Sequence, residues 1–109
     1  MKNIALCAAS DAHNGNIQCV QLADGRTIAI YVVNGLAYAT DDHCTHGDSS
    51  LSQEGSLNGH IIECGLHNGT FDIRTGEALD LPCTKALRTY PVEIRDGKVY
   101  LSDSAPAAE

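Results

Sequence analysis

Turn dipeptides punctuate the chain at short intervals: Asn14-Gly15, Asp24-Gly25, Asn34-Gly35, Asn58-Gly59, Asn68-Gly69, Thr75-Gly76 and Asp96-Gly97. Asn-Gly and Asp-Gly supply the left-handed backbone that two-residue hairpins demand, so this spacing leaves room for short antiparallel strands and little else. Strands are expected over 17–22, 27–33, 36–41, 60–63, 70–73, 87–95 with Pro91 as an interruption, and 98–102. The run TIAIYVV (27–33) is rich in the β-branched residues that suit a pleated surface, and no long segment shows a 3.6-residue apolar period. The expected fold is therefore all-β. Pro91 cannot donate to a ladder, which places its strand at an edge or a bulge.

With 109 residues the chain fits a single domain over 1–109, whose polar tail 103–109 is expected to fray. Aromatic residues are sparse, so Ile, Val, Leu and Ala must build most of the core, and a core this small benefits from a metal staple. A net charge of −7 argues against nucleic acid and anionic membrane surfaces as partners and favours a partner with a basic face. The short apolar run 4–9 is too brief for a signal peptide or a membrane span, which makes the cytoplasm the expected compartment. Five cysteines is an odd count, and in a reducing compartment cysteine points to metal binding or plain burial.

One stretch, 42–56, does not read as strand at all: it is polar, contains glycine and is long for a hairpin loop, and such loops are usually functional. It opens with Cys44-Thr45-His46, and Cys64-Gly65-Leu66-His67 follows after a gap of 17 residues. Each half supplies one soft thiolate and one imidazole from a turn-rich segment, and an antiparallel sheet can bring two such turns side by side. Two metal centres fit this ligand set. A structural zinc would take all four ligands on one ion. A Rieske centre would place two cysteines on one iron and two histidines on the other. Zinc sites usually pair Cys with Cys and His with His at short spacing, so the mixed halves favour the two-iron centre.

The motifs CTHGD (44–48) and CGLHNGTFDIRTGEA (64–78), followed by the Pro-containing LPC (81–83), resemble the Rieske-type ferredoxin components of bacterial aromatic-ring-hydroxylating dioxygenase systems, and the likeness covers nearly the whole chain. The resemblance implies an antiparallel Rieske-type β-sandwich with a small cluster-binding subdomain, about 42–83, formed by two loops. It implies one [2Fe–2S] cluster with Cys44 and Cys64 on the inner iron and His46 and His67 on the outer, more exposed one. It further implies an electron carrier, not an enzyme in itself, that passes single electrons from a flavin-dependent NAD(P)H reductase to a terminal oxygenase. The chain accordingly carries no G-x-G-x-x-G dinucleotide fingerprint. The alternatives are a ferredoxin for another monooxygenase or hydroxylase, and a zinc-stapled interaction module that carries no electrons.

Two ferric ions, two sulfides and two thiolates sum to zero charge, and neutral imidazoles add none. Replacing two thiolates by imidazoles helps lift Rieske potentials to roughly −150 to +300 mV, against about −400 mV for plant-type ferredoxins. High-potential members carry a loop disulfide and two hydroxyl donors. The matching positions here are Ser49 and Leu66 for the disulfide, and Gly69 and Phe71 for the donors. Fewer hydrogen bonds leave the added electron less stabilised, so a potential near the low end, roughly −150 mV, is expected.

The remaining candidates have plainer readings. Cys7 and Cys19 fall in apolar segments and are expected as small buried hydrophobes. Cys83 follows Pro82 in a loop that, by resemblance, shields the cluster without binding it. His43 reads as a solvated loop histidine, and His13 and His60 as structural or exposed. Asp41, Asp42, Asp48 and Glu54 near the first loop either guide a basic partner or form a solvated face.

Overall fold

The computed structural model of the chain describes residues 5–12, 16–22, 25–43, 50–64, 69–80 and 86–101. Its elements are, in order, β1 (Cys7–Ala8), a 3-10 turn (Ala9–Ala12), β2 (Gln18–Gln21), β3 (Thr27–Val33), β4 (Leu36–Asp41) and α1 (Leu51–Glu54). There follow β5 (Ser56–Asn58), β6 (Ile61–Glu63), β7 (Thr70–Asp72), β8 (Ala78–Asp80), β9 (Thr89–Tyr90), β10 (Val92–Arg95) and β11 (Lys98–Leu101). They assemble into three antiparallel sheets of order β2-β3-β4-β9, β1-β11-β10 and β5-β6-β7-β8.

Turn chemistry sets the hairpin registers. Asn34 and Gly35 both take positive φ (54° and 81°) and join β3 to β4 with Val33 opposite Leu36. Asp96 and Gly97 (53° and 77°) do the same between β10 and β11, with Arg95 opposite Lys98. Each is the two-residue turn whose twist matches that of its strands. Pro91 falls between β9 and β10, where the chain leaves the edge of one sheet for the edge of another, as a residue with no N–H donor should.

The period-2 alternation of a strand lets β3 serve two cores at once. Ala29 and Tyr31 face one cluster with Leu51, Ile62, Cys64, Phe71, Ile73 and Leu87, between β3 and the β5–β8 sheet. Ile28, Ile30 and Val32 face the other, with Ala12, Ala39 and Val99. Burial on both faces is why this strand reads as an unbroken apolar run. Full burial of Ile28, Ile30 and Ile62 contributes about 1.5–3 kcal/mol apiece.

Two expectations need correction. The stretch 42–56, which reads as a long loop with no strand in it, contains α1 and the first residue of β5. Its helix signal is Ser50-x-x-Gln53, the spacing of a capping box: Ser50 is the N-cap and its hydroxyl accepts the Gln53 N–H at 3.3 Å. Cys19, expected buried, is exposed. Val20 packs against the second core, so the pleat turns Cys19 to the other face of an edge strand, where solvent reaches it. Cys7 is half-buried, and desolvation, followed by the charge of Asp11, raises its thiol pKa.

Candidate metal centre

The two predicted ligand loops rise from closed bases. At the first, β4 ends at Asp41, the Asp42 N–H bonds the Thr27 carbonyl at 3.0 Å, and His43 forms an antiparallel bridge with Ser50. The Leu51 N–H then bonds the Asp42 carbonyl at 2.8 Å, so the chain before 44 and the chain after 49 are pinned to each other. At the second base, Glu63 pairs with Thr70 across β6 and β7, and the Cys64 N–H bonds the Gly69 carbonyl at 2.7 Å. This closes the neck of 65–68.

The bases share an apolar floor. Leu51, the first residue of α1, and Cys64 are both fully buried in the same core cluster with Ile62 and Phe71. The helix end is pressed onto β6: a Cβ added at Gly55 would stand 3.1 Å from Ile62 Cδ1 and 3.2 Å from the Glu63 carbonyl. Glycine permits that approach.

Of the four predicted ligands, Cys64 is described; Cys44, His46 and His67 lie outside the described residues, as do Ser49, Leu66, Cys83, His13 and Asp48. Among the described residues His, Cys, Asp and Glu form no group of three or more able to hold a metal. What is described fits a thiolate-ligated centre. Cys64 is a free cysteine on the apolar floor, at the point where β6 gives way to the loop. The two positions matched to hydroxyl donors hold Gly69, which has no side chain, and Phe71, buried and purely apolar.

The other candidates resolve into structural roles. His60 is half-buried with its ring edge-to-face against Tyr38 at 5.5 Å, and His43 is exposed. Asp42 is buried and so cannot guide a partner; Ser50 Oγ and the Ser52 N–H both donate to its carboxylate. Asp41 accepts from the Tyr90 hydroxyl, which in turn accepts from Arg26 Nη1 at 3.4 Å. Burial, then the bond to Asp41, raises the Tyr90 phenol pKa. Sequence reasoning missed the Asp42 arrangement because nothing in the spacing of Asp42, Ser50 and Ser52 marks them as partners. A surface hollow of about 410 Å³ between Tyr38, Arg74, Tyr90 and Pro91 lies toward the opposite ends of β4 and β7 from the loops and is not part of this site.

The family described as Rieske [2Fe-2S] domain matches residues 2–91. The chain belongs to the Rieske family. It is 47% identical over 102 residues to the ferredoxin component of the p-cumate 2,3-dioxygenase system of Pseudomonas putida, covering 94% of this chain and 86% of that protein. Its fold superposes on the Sphingomonas yanoikuyae B1 ferredoxin with a TM-score of 0.85 and 39% identity, over 93% of this chain and 98% of the other. A ferredoxin in the complex of reduced oxygenase and oxidized ferredoxin of carbazole 1,9a-dioxygenase matches with a TM-score of 0.82 and 43% identity, over 92% of each chain. The antiparallel sheets described above are thus a Rieske fold, and this Rieske chain carries one [2Fe–2S] cluster as an electron-transfer component, not as a catalyst.

Proposed function

We propose that this chain is a Rieske ferredoxin in which Cys44 and Cys64 hold one iron and His46 and His67 the other. It passes single electrons from a flavin-dependent NAD(P)H reductase to a terminal oxygenase of an aromatic-ring-hydroxylating system. The cluster, when bound, supplies a site that takes up and releases one electron. The chain's own residues would hold that site beside the apolar floor formed by Leu51, Ile62, Cys64 and Phe71. The observation that carries this reading is the pair of closed loop bases over the buried Cys64, in a chain matched nearly end to end by dioxygenase ferredoxins.

The same reading takes 1–109 as one domain with the cluster region at about 42–83, and the cytoplasm as its compartment. No helix among the described residues is long and apolar enough to cross a membrane. A net charge of −7 suits brief encounters with basic partner faces, which a shuttle must also leave quickly.

Purified protein tests the assignment. Visible absorption, about two irons and two sulfides per chain, and a reduced-state EPR signal with low average g are expected, and Cys64→Ala should abolish all three. A colourless protein holding one zinc would overturn the assignment in favour of an interaction module. A redox titration should place the midpoint near roughly −150 mV; a clearly positive value would contradict the low-potential reading.

A further inference from the structure

Asp42 is 6% exposed, and its carboxylate, two residues before Cys44, reaches across the neck to the far side of the loop. Ser50 Oγ donates to Oδ2 at 2.6 Å and the Ser52 N–H donates to Oδ1 at 2.7 Å. The Cys19 thiol on β2 lies 3.9 Å from Oδ2. Ser50 Oγ also accepts the Gln53 N–H and lies 3.1 Å from Ser52 Oγ, so the hydroxyl links the carboxylate to the first turn of α1.

The neck does not need this carboxylate in order to close. The His43–Ser50 bridge and the Leu51–Asp42 backbone bond already join its two strands. Burying a carboxylate is unfavourable unless charge-assisted bonds satisfy it, and here the donors that do so come from beyond the loop. A side chain before the loop is thereby locked to a hydroxyl and an amide after it, and through the Asp42 N–H to the central strand β3.

We infer that Asp42 is a positioning residue for the cluster: held by Ser50 and Ser52, its carboxylate ties together the chain before and after the segment that carries Cys44 and His46, and so helps the protein retain its cluster. The inference rests on the ligand set proposed above. A ligand on a loose loop leaves its metal more often and settles in a wider range of orientations, whereas supporting hydrogen bonds hold it in one.

The test compares cluster-loaded wild type, Asp42→Ala, Asp42→Asn, Ser50→Ala and Cys19→Ala, each challenged with an iron chelator well below its unfolding temperature while the visible absorption is followed. Asp42→Ala and Ser50→Ala should bleach on the order of tenfold faster than wild type and show broadened EPR features. Asp42→Asn should recover most of the retention, because its amide oxygen still accepts the Ser52 N–H and its NH₂ can donate to Ser50 Oγ. Cys19→Ala should match wild type. If Asp42→Ala folds too poorly to load, Ser50→Ala carries the comparison. Unchanged bleaching and EPR in the two disruptive variants overturn the inference. So does faster bleaching that only tracks a lowered unfolding temperature and is not rescued by Asn. A wild-type protein with no [2Fe–2S] spectrum overturns the ligand assignment instead, before any variant is compared.

Discussion

Tyr31 sets a phenol at the middle of the first core, fully buried and 2.9 Å from Thr40 Oγ1. Thr40 Oγ1 also lies within donor distance of the Asp41 carbonyl, at 2.9 Å, and either hydroxyl of the Tyr31–Thr40 pair can be the donor. Burial, partly offset by the bond to Thr40 and reinforced by the Asp42 charge, pushes the phenol well above the ordinary tyrosine range. Tyrosine is neutral when protonated, so the folded state holds the proton that the unfolded chain releases near pH 10. This stability is fully present below about pH 10 and is lost as pH rises toward the folded value. Tyr31→Phe should cost about 1 kcal/mol at neutral pH and flatten the alkaline fall in stability, as measured by urea unfolding at several pH values. A variant with an equally steep alkaline limb would assign that limb to Tyr90 or another group.

At the scale of single elements, the structure turns on the tight corner after β7. The Gly76 N–H bonds the Asp72 carbonyl at 2.6 Å, its own carbonyl accepts the Leu87 N–H at 2.8 Å, and its φ is 82°. A Cβ there would collide with the Leu87 carbonyl, which is backbone and cannot swing aside. Gly76→Ala should therefore destabilise the holo-protein by about 1–3 kcal/mol in thermal or urea unfolding, whereas Gly35→Ala, strained but unobstructed, should cost less. How legible each element was follows from its length and its punctuation. Strands β3 and β4 match their expected bounds, and Asn34-Gly35 fixes where they meet, with Val33 opposite Leu36. The edge strands β1, β5 and β8 are only two or three residues long, too short for a period to show. The ligand pattern was legible because metal chemistry restricts residue types at close spacing. The Asp42 clamp was not, because its partners are defined by the path of the chain in space.

For the whole molecule, seven excess negative charges mean that electron delivery to a partner with a basic face should slow as salt screens the encounter. Stopped-flow oxidation of the reduced protein by the proposed oxygenase partner should fall with ionic strength; a rate that is flat or rises would remove charge steering from the account. The strand β3 has a further consequence, because it is the common wall of both cores. Its amides at Ile30 and Tyr31 can meet deuterium only when both layers part together, so they should exchange at the rate of global opening. The amides of the necks, at Leu51 and Cys64, need only local fraying. Between these two rates lies a range of conditions in which the necks exchange while the two cores that share β3 stay protected as one body.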